Sequence, residues 1–222
     1  MFMLNRRNFQ SLLVILFVVI VIESSEANWV QQTEVPTSRN GTATAVVDGK
    51  IYIIGGVPYS NKSGPGWSAV PTVEVYDTRT GAWGKAPDMP TPRITAQAAV
   101  FARDIYVFGG YSRGKIRGEK DHKTVEVYNT RTNTWSRTRD MPTLRRGFRT
   151  AVVDGKIYVI GGAIFDKQRD LRVATDLVEA YDPLTERWKK YASMPTKRMW
   201  VDTAVVNNYP CPKSLQQSRS ML

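Results

Sequence analysis

The chain holds one histidine, His122, and one cysteine, Cys211. His122 follows Asp121, and an imidazole beside a carboxylate is the beginning of a general acid–base pair. The pair goes no further, because adjacent residues on an extended segment point to opposite sides and no nucleophile is placed near them by the sequence. Cations are the more plentiful chemistry. The stretch 111–124, YSRGKIRGEKDHKT, carries Arg113, Lys115, Arg117, Lys120 and Lys123, and the stretch 163–177 carries Lys167, Arg169 and Arg172. Two shorter segments add Arg145, Arg146, Lys197 and Arg198. Gathered on one face, such residues bind anions: guanidinium grips a carboxylate or sulfate by two parallel hydrogen bonds, and the lysine ammonium acts as a point charge.

Charge and leader narrow the partner. Arg6 and Arg7 precede an unbroken apolar run at 12–22, and Ser25-Glu26-Ala27 sets small residues where a signal peptidase reads. Eleven apolar residues at about 1.5 Å each cover roughly half of a bilayer core of about 30 Å, so residues 1–27 read as a cleaved leader and not as an anchor. The expected product starts at Asn28, is secreted, and does not span a membrane. The net charge of +11 is unchanged by the cut, since the leader holds Arg6, Arg7, Glu23 and Glu26. Secretion argues against chromosomal nucleic acid and favours an acidic protein segment or an anionic glycan, met at rates that fall as salt rises. One cysteine permits no internal disulfide, so the core alone must hold the fold. Asn40-Gly41-Thr42 and Asn61-Lys62-Ser63 are N-glycosylation sequons, which places Asn40 and Asn61 on surface loops.

The positions of these residues are set by a repeat. VVDGKIYIIGG at 46–56 returns as VVDGKIYVIGG at 152–162, and the Gly pairs Gly55-Gly56, Gly109-Gly110 and Gly161-Gly162 stand 54 and 52 residues apart. After each Gly pair comes VEVYDTRTGAW, VEVYNTRTNTW or VEAYDPLTERW, containing Tyr76 and Trp83, Tyr128 and Trp135, Tyr181 and Trp188. Seven residues after each Trp comes Pro-Thr-x-Arg, ending at Arg93, Arg145 and Arg198; Trp29 and Arg39 keep the same rule.

Within one unit the local physics is all β. Runs rich in branched and aromatic residues flank Asp48-Gly49, the dipeptide that suits a tight hairpin, and two further strands run from Val73 and from near Trp83. Four antiparallel strands, a to d, make a sheet too thin to exclude water alone, so units must stack as the blades of a propeller. The Gly pair, the VEVYD strand, the Trp and the Met-Pro turn resemble the kelch repeat over nearly all of 29–206. The resemblance implies a kelch-type β-propeller, partial here, and protein interaction. The Gly pairs are expected to pass close to aromatic rings, and the Tyr and Trp markers to pack blade on blade. The Arg of Pro-Thr-x-Arg, present at every turn, fits a structural bond between blades.

The expected segmentation is a leader at 1–27, an isolated outer strand at 28–39, blades at 40–92, 93–144 and 145–197, an isolated inner strand at 198–207, and a disordered tail at 208–222. YPCPKSLQQSRSML, where a second strand should follow, suggests a truncated product, with the bare blade faces open to self-association. The long b-to-c segments at 57–72, 111–124 and 163–177 are expected as loops that share one face with the d-to-a turns and carry the ligand. A copper oxidase of the kelch-like kind fails on inventory, for want of a second His and a placed Cys. A kelch-type sugar-acid mutarotase, with Arg149 and Asp202 as candidates, is the alternative to a binding module. No cofactor or metal is expected.

Overall fold

Alternation writes the first sheet. In β2 (Ala43–Val47), Ala43, Ala45 and Val47 are buried while Thr44 and Val46 face outward, and β3 (Lys50–Ile54) returns antiparallel to it. Asp48 and Gly49 join them with φ of 50° and 74°, the two positive angles that match the strand twist. The computed structural model of the chain describes residues 33–59, 68–114, 118–206 and 209–210. The proposed leader, Trp29, Asn61, Lys115, Arg117 and Cys211 lie outside these.

Three four-stranded antiparallel sheets follow one another, with no helix among the described residues. The first continues through β5 (Val73–Asp77) and β6 (Ala82–Ala86), after the two-residue strands β1 (Arg39–Asn40) and β4 (Val57–Pro58) pair beside it. The second is β7 (Gln97–Phe101), β8 (Asp104–Phe108), β11 (Val125–Asn129) and β12 (Thr134–Thr138). The third is β13 (Arg149–Val153), β14 (Lys156–Ile160), β17 (Val178–Asp182) and β18 (Arg187–Lys190). The all-β kelch-type fold expected from the repeat is the fold observed, as three blades.

The segments expected as loops differ. Residues 111–124 hold a hairpin of β9 (Tyr111–Gly114) and β10 (Gly118–Asp121), and 163–177 hold one of β15 (Ala163–Asp166) and β16 (Leu171–Ala174). Alternation is hidden there by charged residues on both faces, so the sequence read as loop. At the far end only Val205–Val206 (β19) is strand, and it pairs with Tyr209–Pro210 (β20) where a structureless tail was expected. Proline lacks an N–H but not a carbonyl, so a short edge ladder tolerates it. Thr33–Ser38 carry no strand.

The blades meet through rings and aliphatic side chains. At the first seam Tyr52 lies 5.9 Å from Tyr128, whose ring is 1% exposed, and Ile54, Val73, Met89, Ile105 and Val107 share the core. At the second, Tyr181 packs on Tyr106 and Phe108, and Phe108 meets Trp188 edge-on at 6.1 Å. Tyr76 and Trp83 pack on each other at 5.1 Å and are half-buried.

A charged lock recurs beside each core. Arg93, 1% exposed, donates to Glu126 Oε2 at 2.7 Å and to the carbonyls of Gly109 and Thr124, while the Thr91 hydroxyl donates to the other carboxylate oxygen at 2.6 Å. Arg145 with Thr143 binds Glu179 in the same way, and Arg39 with Thr37 binds Glu74. Burial draws the Arg93 and Arg145 guanidinium groups below their ordinary pKa, and the facing carboxylates oppose this. The Arg backbone closes the same joint: Gly56 N–H donates to Arg93 O at 2.9 Å. This corrects the expectation for the Gly pairs. A Cβ on Gly55 would sit 2.7 Å from Arg93 O, and one on Gly110 would sit 2.6 Å from Ile94 O; only Gly109 faces a ring, that of Phe148.

Replacing Glu126 with Ala strands a buried guanidinium, so the chain should lose about 3–5 kcal/mol in urea denaturation, against about 1 kcal/mol for Thr91→Val, which spares the ion pair. Equal losses would mean that the ion pair is not what holds the seam.

Candidate functional site

Two neighbouring arginines part company at the start of the third blade. Arg145, assigned to the ligand face by its sequence neighbourhood, is 0% exposed and spent on Glu179, so it is removed from that face. Arg146 points the other way. Its guanidinium lies over the Tyr111 ring at 4.2 Å, reaches Glu119 Oε2 at 2.6 Å, and stands 3.2 Å from Asp121 Oδ1. Arg172, on β16, approaches the other Asp121 oxygen at 2.8 Å and covers Phe165. Arg146 is 7% exposed, so it too leaves the ligand face, and Arg172 remains there only by its partly exposed head.

These four charges make a clasp between the hairpins β9–β10 and β15–β16. Asp121 has a 6%-exposed side chain between two guanidinium groups, and desolvation strengthens such pairs wherever the partners stay matched. The first seam has no such clasp: the positions matching Arg146 and Asp121 there are Ile94 and Ala69.

The cations that remain exposed on this side are Lys120 and Lys123 by the first hairpin, Lys167 and Arg169 at the tip of the second, and Lys197 and Arg198 in the following turn. Arg169 has Asp166 within 3.7 Å at its own tip. Arg113 lies on β9. Asn40 is exposed, but it lies on β1, paired with Val57, and not on the loop expected from its sequon.

His122 is structural in its setting. It follows β10, is 9% exposed, and its N–H donates to Gly110 O, the bond that Val70 and Thr175 make to Gly56 and Gly162. Nε2 lies 2.9 Å from Ser112 Oγ. Burial first, and then the nearby Arg93 and Lys120, pull its pKa down to about 4 against a smaller opposing effect of Asp121. The ring therefore stays neutral at physiological pH. The other candidate acid–base pair is open to solvent: Arg149 Nε lies 3.2 Å from Asp202 Oδ1, and Asp202 has a 93%-exposed side chain. Among the described residues no group of three His, Cys, Asp or Glu is arranged to hold a metal.

Because the folded pKa of His122 lies below its ordinary value, the unfolded chain binds the extra proton first as pH falls. Its contribution to stability is complete above about pH 6.5 and is lost between there and about pH 4. A proton NMR titration of this single histidine should give a midpoint near pH 4. A midpoint near 6.5 would contradict the buried, cation-flanked setting.

Comparison with known proteins agrees with this architecture. The family profile described as the KLHDC2/KLHL20/DRC7 Kelch-repeats domain matches residues 8–211. Kelch-like protein terF of Aspergillus terreus is 30% identical over 79% of this chain and 38% of its own length. Spermatocyte protein spe-26 of Caenorhabditis elegans is 29% identical over 75% of the chain and 27% of its own length, and beta-scruin of Limulus polyphemus is 26% identical over 81% and 19%. The chain thus spans well under half the length of the curated relatives it matches. The solved structure titled "Structure of YjhT" superposes with a TM-score of 0.59 at 23% identity, covering 78% of this chain and 56% of that one, a likeness of fold. Three blades locked by Arg–Glu pairs and a matching profile over nearly the whole sequence make the chain a member of the kelch-repeat family.

Proposed function

We propose that the chain is a secreted kelch-repeat binding module without catalytic activity, whose hairpin face holds an acidic segment of a partner protein or an anionic glycan. The observation that carries this reading is the clasp. Arg146, Arg172, Asp121 and Glu119 tie two hairpins into one surface, and Lys120, Lys167, Arg169 and Lys197 are left exposed around it. A tied-down platform carrying an excess of exposed positive charge lowers the ordering cost of binding an anion. Kelch-repeat proteins mediate protein–protein interaction, which favours a macromolecular ligand.

The quadruple variant K120A/K167A/R169A/K197A should bind immobilised heparin about tenfold more weakly at low salt. The matched variant K50A/R79A/R131A/K156A, on the a-to-b and c-to-d turns of the other side, should change it by less than twofold. Equal losses from both sets would leave only non-specific attraction.

Secretion has its own check. The product recovered from the medium of a eukaryotic culture should begin at Asn28 and lose mass on enzymatic deglycosylation, with a smaller loss after Asn40→Gln. A cell-retained product that keeps residues 1–27 would overturn it.

A further inference from the structure

At the outer rim of the second seam lies a groove of about 500 Å³ lined by Lys123, Arg139, Asp140, Met141, Arg187 and Trp188 among others. Its walls come from both blades. Arg139 follows β12, and its carbonyl accepts a hydrogen bond from Trp188 Nε1 at 3.3 Å; Lys123 O accepts from Met141 N–H at 2.7 Å; Arg187 opens β18. The side chains of Lys123, Arg139 and Arg187 are exposed and have no ion-pair partner among the described residues. The one carboxylate of the groove, Asp140, is held by Arg137 at 2.7 Å.

The repeat supplies an internal comparison. The first seam has the same joint, with Trp135 Nε1 donating to Pro87 O at 2.8 Å and Met89 N–H to Pro71 O at 2.9 Å. There the positions of Lys123, Arg139 and Arg187 hold Pro71, Pro87 and Thr134. The seam therefore does not need cations at these positions, and all three are present at one seam alone.

The chemistry of the walls selects among anions. Trp188 spends its N–H on Arg139 and packs on Tyr181 at 5.2 Å and on Phe108, so it has no indole donor left for a sugar hydroxyl. Two exposed guanidinium groups on opposite walls suit the carboxylates of an extended peptide chain. β18 is also the edge strand of its sheet, with one side of its backbone unpaired within that sheet.

From these observations we infer that the rim groove between the second and third blades is a docking site for an extended acidic peptide of a partner protein, its carboxylates held by Arg139 and Arg187. The two arginines lie outside the hairpin face, with which the groove shares only Lys123, and the inference goes beyond the function proposed above.

The test is fluorescence anisotropy on the full chain with fluorescein-labelled hexaglutamate as probe. R139A/R187A should weaken binding by about tenfold, since two charge-assisted contacts are lost, whereas K167A/R169A at the hairpin tip should weaken it by less than twofold. R139K/R187K keeps the charge but not the fork and should fall between wild type and R139A/R187A. The groove is overturned as a peptide site if R139A/R187A binds the probe as wild type does, if no binding occurs at low salt, or if R139K/R187K is indistinguishable from wild type. It is also overturned if a heparin-derived hexasaccharide displaces the probe through the same two arginines at a lower concentration than unlabelled hexaglutamate does. Loss in K167A/R169A with none in R139A/R187A would leave the hairpin face standing and remove the groove.

Discussion

The structure depends on placing an arginine in a dry seam and neutralising it completely. The Pro-Thr-x-Arg turns ending at Arg39, Arg93 and Arg145 each send their Arg and Thr to the two oxygens of one glutamate in the following sheet, and the guanidinium also donates to carbonyls beside the Gly pair. An unpaired buried charge costs more than any single apolar contact contributes, so the joint tolerates only one register. That is why the Gly pairs cannot carry side chains: apart from Gly109, which meets the Phe148 ring, their Cβ positions fall within 3 Å of neighbouring backbone oxygens. The aromatic cores on either side then fill a space whose dimensions are already set.

The same logic separates cations that build from cations that are available. Arg145 and Arg146 are consecutive, and one disappears into the lock while the other is consumed by the hairpin clasp. The 31 lysines and arginines thus overstate what a ligand meets, although the net charge stays at +11 because each buried cation is matched by a carboxylate. What is left is unevenly distributed, with lysines around the hairpins and an arginine pair at the rim of one seam.

Much of the fold was legible, because period, turn chemistry and alternation agreed. Asp48-Gly49 and Asp154-Gly155 announced their hairpins. The equivalent turn of the second blade was silent, since Ala102 and Arg103 adopt φ of 49° and 74° without the usual residues, forced there by the two strands they join. The extra hairpins were hidden by charge: Arg113, Glu119, Asp121 and Arg172 interrupt the alternation that marks a strand, and they do so because they belong to or adjoin the clasp. Glu74, Glu126 and Glu179 were overlooked as lock partners. Their signal was present, as the glutamate after the first Val of every VE strand stands 33 to 35 residues beyond its arginine. Burial, which decides that Arg145 is not a ligand contact, has no local sequence signature.

That interval has a bearing on biogenesis. Every lock closes over a few dozen contiguous residues, so the entropy of closing the loop is small and the same at each step. Both partners of one lock are already joined to the growing chain before the arginine of the next is added. Order of assembly is therefore written into the polypeptide from amino to carboxyl end, and no joint waits for a distant partner to arrive.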